Sequence, residues 1–219
     1  MIVRPYQPMD RETVIRISCD TALLGQPIDS LFTDRRLIGE SLVGYYLEFE
    51  PELTFVAEEN GRVVGYVTGC RETQRYERIF ARRILPRLIR RLLFRGHLLR
   101  ANSWRLLSAI RQSGSHWARL RHHVMATYPA HCHINLATGS RHAGTGSTLL
   151  ETLLLSLRRQ GVPGIHIISA TEPGKSFFRK MGFTLLVRYP SAPLPGCPRG
   201  EAWVMGKLLV DSSSSSMIR

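Results

Sequence analysis

The chain has 219 residues, 43% of them hydrophobic, which suits one compact domain with a buried core and argues for a folded globule rather than a wholly disordered chain. No apolar run approaches the ~20 residues of a membrane span. The four cysteines are scattered without a Cys-x-x-Cys pair, so no metal site is spelled out, and reduced thiols in a cytoplasmic setting are expected.

Met1-Ile2-Val3-Arg4-Pro5 reads as a first strand (2–6) rather than as a leader. Asp10 is placed to cap a helix over 11–24, with Val14, Ile15, Ile17, Leu23 and Leu24 on its apolar side. A second helix is predicted over 34–47. The β-rich runs 53–57 and 63–68 flank Glu58-Glu59-Asn60-Gly61-Arg62, and Asn-Gly in that position specifies a hairpin.

Residues 71–127 differ in composition from the rest. Between Arg71 and Arg121 stand 14 arginines, no lysine and only Glu72 and Glu77 as acids, so this stretch carries a net +12 of the chain's +13. Ile79-Phe80, Ile84-Leu85, Leu88-Ile89 and Leu92-Leu93 recur near the helical period, with arginines filling the other side. An amphipathic helix with one cationic face, bent or begun near Pro86, is predicted, then a further helix across Trp104–Ile110 with breaks at Gly96 and Gly114. Three uses fit such a face: a solvated helical cap packed on the domain, an acidic partner such as nucleic acid, or an anionic membrane surface.

The strand-like run Ala130–Leu136 is followed by Ser140-Arg141-His142-Ala143-Gly144-Thr145-Gly146-Ser147 and then by a helical run, 148–159. A strand that turns through glycines into a helix aims free N–H groups and the positive end of the helix dipole at one spot, a site suited to pyrophosphate. A Walker A pattern is absent, and the dinucleotide fingerprint fails because Leu149 stands where its third glycine belongs. A further strand follows at Gly164–Ile168, and the last segment, 211–219, is Ser-rich and expected to be disordered.

Arg141-x-x-Gly144-x-Gly146 resembles the phosphate-binding signature of the GNAT superfamily of acetyl-CoA-dependent N-acetyltransferases. Ser169 through Phe183, ending Phe177-Phe178-Arg179-Lys180-Met181-Gly182-Phe183, is similar to the later segment of the same superfamily. The strand–helix–helix–strand–strand order of the N-terminal third also matches, so the resemblance covers most of the chain outside 71–127. Tyr128–Asn135 with Gly161–His166 is further similar to bacterial acetyltransferases related to the acetyltransferase-like domain of O-GlcNAcase.

The resemblance implies an α/β fold over 1–210: a mixed, mostly antiparallel sheet of six or seven strands flanked by helices, with the Arg-rich insertion between strands 3 and 4. It implies acetyl transfer from acetyl-CoA to an amine in a ternary complex, without a metal. Arg141, His142, Ala143, Gly144, Thr145, Gly146 and Ser147 would hold the coenzyme A pyrophosphate. Ile134, Asn135 and Leu136 would lie along the pantetheine arm, with Thr171 and Phe178 in the later motif. Family members often place a carboxylate base on the strand before the loop; none is present here. His133, or His131 beside it, is then the nearest group able to take a proton near neutral pH. Phe178 stands where a tyrosine usually protonates the leaving thiolate, which leaves acyl-CoA binding without turnover as a second reading. Tyr45 and Tyr46 fall where family members often contact substrate, although core tyrosines fit there as well. Cys132 would project to the face opposite His131 and His133.

Overall fold

In the computed structural model, which describes residues 1–30, 34–94, 117–140, 144–191 and 200–210, seven strands pair into one sheet. They are Ile2–Pro5 (β1), Thr54–Glu59 (β2), Arg62–Cys70 (β3), Ala130–Leu136 (β4), Gly164–Ser169 (β5), Thr184–Pro190 (β6) and Glu201–Leu208 (β7). Their order is β1-β2-β3-β4-β5-β7-β6, antiparallel throughout except between β4 and β5. Helices Arg11–Asp20 (α1), Arg35–Phe49 (α2), Thr73–Ile79 (α3), Leu85–Phe94 (α4), residues 117–127 (α5), Thr145–Arg159 (α6) and Glu172–Lys180 (α7) complete the described structure.

The two-residue alternation along the strands divides the core. Ala57, Val67, Cys132 and Ile165 face the leucines of α6, while Val56 and Tyr66 face α1 and α2. Two glycines set the approach of the layers. A Cβ on Gly69 would lie 2.5 Å from Leu153 of α6, and one on Gly39 the same distance from Ile15 of α1.

The N-terminal hairpin forms as predicted, turning through Asn60 and Gly61, both at positive φ. The first helix ends at Asp20, four residues earlier than the apolar pattern suggested. Leu23 and Gln26 exchange backbone hydrogen bonds across Leu24 (φ 53°) and Gly25 (φ 92°), so the chain makes a tight turn where a helix was expected.

The insertion leaves the sheet between β3 and β4. Its helix is bent as predicted: Phe80–Ile84 forms one π-helical turn between α3 and α4. Pro86 has no N–H to give to the carbonyl four residues back and its ring crowds that carbonyl, so the preceding turn widens. The arginines do not form a uniformly solvated face. Glu50 is wholly buried; one carboxylate oxygen accepts from the Tyr45 hydroxyl (2.7 Å) and Arg75 (3.0 Å), the other from the Arg71 backbone N–H (2.9 Å). Arg87 pairs with Glu48 (2.9 Å), Arg91 with Asp34 (3.1 Å) and Arg121 with Glu77 (2.6 Å). The predicted helix across Trp104–Ile110, the breaks at Gly96 and Gly114, and the segment 211–219 lie outside the described residues.

Candidate functional site

β4 and β5 run side by side but pair only at Ala130 with Ile165 and His131 with His166. Beyond that point each strand keeps its outer neighbour. β4 stays on β3 as far as Leu136, and β5 stays on β7 as far as Ser169. The strands therefore splay, and a cavity of about 610 Å³ opens between them. Its walls include Ile134, Asn135 and Leu136 from β4, Thr171 and Phe178 from the α7 region, and Gly146 at the start of α6. The sequence-predicted positions thus converge on one space. The turn at Leu24 and Gly25 closes another side, a contribution the sequence did not indicate because the predicted helix ran to Leu24.

Gly144 caps α6 with φ 92°, a left-handed conformation that glycine adopts without a Cβ penalty. The first helical bond at this end runs from the Thr148 N–H to the Gly144 carbonyl (2.9 Å). The N–H groups of Thr145, Gly146 and Ser147 therefore precede any intrahelical acceptor, and the helix dipole adds positive potential there. A Cβ at Gly146 would meet the Phe177 ring at 3.5 Å, so a larger side chain would project into the cavity. Arg141, His142 and Ala143 lie outside the described residues. At the other side of the cavity Thr171 caps α7, its hydroxyl accepting from the Gly174 N–H (3.2 Å). Phe178 is buried between the rings of Phe177 (5.1 Å) and Phe183 (5.4 Å). It brings no proton donor.

The two candidate bases on β4 stand in different surroundings. His131 is buried and both ring nitrogens are engaged: Nδ1 with Thr73 Oγ1 (2.7 Å) and Nε2 with the Tyr46 hydroxyl (2.6 Å). Thr73 donates its only hydroxyl hydrogen to the Pro129 carbonyl (2.8 Å), so it accepts from His131 Nδ1–H. That leaves the Nε2 lone pair to accept the Tyr46 proton. Burial, with His166 and His133 nearby, pushes the His131 pKa well below its usual value. Its lone pair is occupied and faces α2, which removes it from the reach of an acceptor. Tyr46 is committed to His131 and Tyr45 to Glu50; both are buried and neither lines the cavity. Their hydroxyls are satisfied inside the core, the alternative recognised for them.

His133 lines the cavity and its side chain is open to solvent. Protein surrounds it on its other sides, and the partial desolvation lowers its pKa from the ordinary 6.5, so the ring is neutral at pH 7 with a lone pair to offer. The Tyr46 ring braces it edge-on at 5.6 Å. Cys132 faces the opposite core; burial raises its thiol to about 12, which removes the thiolate a covalent route would need.

His166 is assigned by the sequence to a strand and to the Gly161–His166 resemblance, with no chemical role. It stacks on Trp117 (5.1 Å), donates Nδ1–H to the Tyr128 carbonyl (2.7 Å), and is lowered by burial to about 4. An unfolded histidine near 6.5 takes up a proton first as pH falls, so stability present above 6.5 is lost progressively toward pH 4, on the order of 3 kcal/mol from this residue. Urea midpoints are expected to drop across that window, and less steeply in His166→Asn. A flat midpoint would contradict the buried, neutral assignment.

No protein-family profile matches the chain. Solved structures do. SsHAT matches at 26% identity over 96% of this chain and 98% of its own, with a TM-score of 0.70. A ribosomal-protein-alanine N-acetyltransferase from Brucella melitensis matches at 14% identity over 95% and 99%, TM-score 0.57. The chain is a GNAT-fold protein. Another GNAT-fold neighbour, yncA from Salmonella typhimurium, is described with its cofactor acetyl-CoA; it is 14% identical over 100% of this chain and 99% of its own, TM-score 0.57.

Proposed function

We propose that the protein transfers acetyl from acetyl-CoA to an amine by direct attack in a ternary complex. The observation that carries this reading is the splay of β4 from β5 over a cavity that meets the uncapped N–H groups of α6 at one end and His133 at its wall. The N–H groups of Thr145, Gly146 and Ser147 suit a pyrophosphate, and Arg141, His142 and Ala143 precede them in the sequence motif. The backbone of Ile134, Asn135 and Leu136, no longer paired to β5, suits an extended pantetheine arm. Neutral His133, directly or through a water, takes the proton of the attacking ammonium. The amine nitrogen then bonds the thioester carbon and gives up its second proton to solvent as the tetrahedral adduct collapses; the C–S bond breaks, and the thiolate leaves. With Phe178 in place of a hydroxyl, solvent supplies the proton to sulfur; a thiol with a pKa near 8.5 is a tolerable leaving group without an acid.

Isothermal titration with acetyl-CoA tests the binding half of this reading. The parent is expected to bind in the micromolar range, and Gly146→Asp to bind at least about 100-fold more weakly, because a carboxylate would sit against the phosphates at the helix terminus. Equal affinity in the two proteins would remove the pyrophosphate assignment.

Phe178 favours one alternative, an acyl-CoA-binding module with little turnover. Micromolar binding without thiol release over a panel of small amines and peptides would select it.

A further inference from the structure

α4 is apolar over a wider arc than the domain covers. Ile84, Leu88 and Leu92 pack inward against the cores built on α1 and α2. One position further on, Leu85, Ile89 and Leu93 recur every fourth residue on the neighbouring flank, 40%, 46% and 59% exposed, and Phe94 is 84% exposed. The arginines divide along the same line. Arg87 and Arg91 turn back to Glu48 and Asp34 on the domain, whereas Arg82 and Arg90 are exposed and meet no carboxylate among the described residues. The outward side of the helix therefore presents aliphatic side chains with guanidinium groups beside them.

We propose that α4 docks the protein on an anionic lipid bilayer, lying along the surface with Leu85, Ile89, Leu93 and Phe94 at the acyl boundary and Arg82 and Arg90 at the headgroup phosphates. Ten residues with three arginines cannot cross a bilayer, but an amphipathic helix with long cationic side chains flanking its apolar stripe is the form that lies in the interface. Nucleic acid would satisfy the guanidinium groups and leave the aliphatic stripe facing a polar backbone. A second copy of the chain would cover the stripe and bring the same arginines face to face. A bilayer of anionic lipid accommodates both features at once.

Sedimentation with vesicles separates these cases, using equimolar phosphatidylglycerol and phosphatidylcholine beside pure phosphatidylcholine. The full chain is expected to bind the anionic vesicles and leave the neutral ones. Ile89→Glu/Leu93→Glu is expected to lose at least about tenfold in partitioning through lost apolar burial. Arg82→Gln/Arg90→Gln is expected to lose roughly 30-fold, at about 1 kcal/mol per arginine. All four positions are outside the acetyl-transfer cavity, so acetyl-CoA titration and circular dichroism serve as fold controls. Failure of the parent to bind anionic vesicles overturns the proposal, as does undiminished binding by the Ile89→Glu/Leu93→Glu protein. Binding to duplex DNA in place of vesicles, or self-association abolished by the same two substitutions without vesicle binding, would also overturn it.

Discussion

Replacing His133 with Gln is expected to lower acetyl transfer by about 10²–10⁴-fold, the usual contribution of a positioned base, while acetyl-CoA affinity stays within about threefold. Affinity survives because pairing along β4 uses main chain, and Gln keeps most of the volume of the ring. The pH profile gives a second signature. The pKa of His133 is lowered by desolvation, so the parent rate should rise with pH through an inflection below 6.5 and level off near neutrality. In His133→Gln that inflection disappears. Thiol release in the presence of an amine measures both, and a variant as fast as the parent would end the assignment of His133 as base.

The second large effect lies away from the cavity. Glu50→Ala is expected to destabilise the fold by about 3–5 kcal/mol, read from urea denaturation. The carboxylate is wholly buried at the end of α2, where it satisfies Tyr45, Arg75 and the Arg71 backbone at once. Removing it strands a buried hydroxyl and an N–H and leaves Arg75 without its acid. Because Arg71 and Arg75 begin the insertion, early proteolysis within 71–127 should accompany the loss. Arg90→Gln is the contrast: that exposed side chain has no carboxylate partner among the described residues, and its replacement should shift stability by less than about 0.5 kcal/mol.

Sequence carried the scaffold well because the signals were local. Asn60-Gly61 between β-rich runs, the strand–glycine–helix passage at Gly144 and Gly146, and the alternation along 130–136 each depend on neighbours only. The site was legible in part for the same reason: Gly146, Ile134–Leu136, Thr171 and Phe178 all border one cavity. What escaped depends on residues far apart in sequence. Nothing near His131 announces that Thr73 and Tyr46, 58 and 85 positions away, will occupy both its nitrogens. Likewise, nothing in the sequence around Glu50 announces that Arg71 and Arg75 will meet on its carboxylate. Leu24-Gly25 carried a usable turn signal in Gly25 and Pro27, but the apolar pair Leu23-Leu24 outweighed it.

The splay between β4 and β5 also leaves the sheet in two parts along its edge pairing. Strands β1 to β4 and strands β5, β7 and β6 are two panels joined edge to edge by two residue pairs and packed on one shared apolar cluster. An extended chain lying in the gap would act as a missing strand and lock the panels together. Its binding then adds to global stability by mass action and quenches the local opening of the junction. Backbone amides around Ala130–Cys132 and Ile165–Ile167 should exchange with solvent faster than those shared by β2 and β3, and slow down as the gap fills.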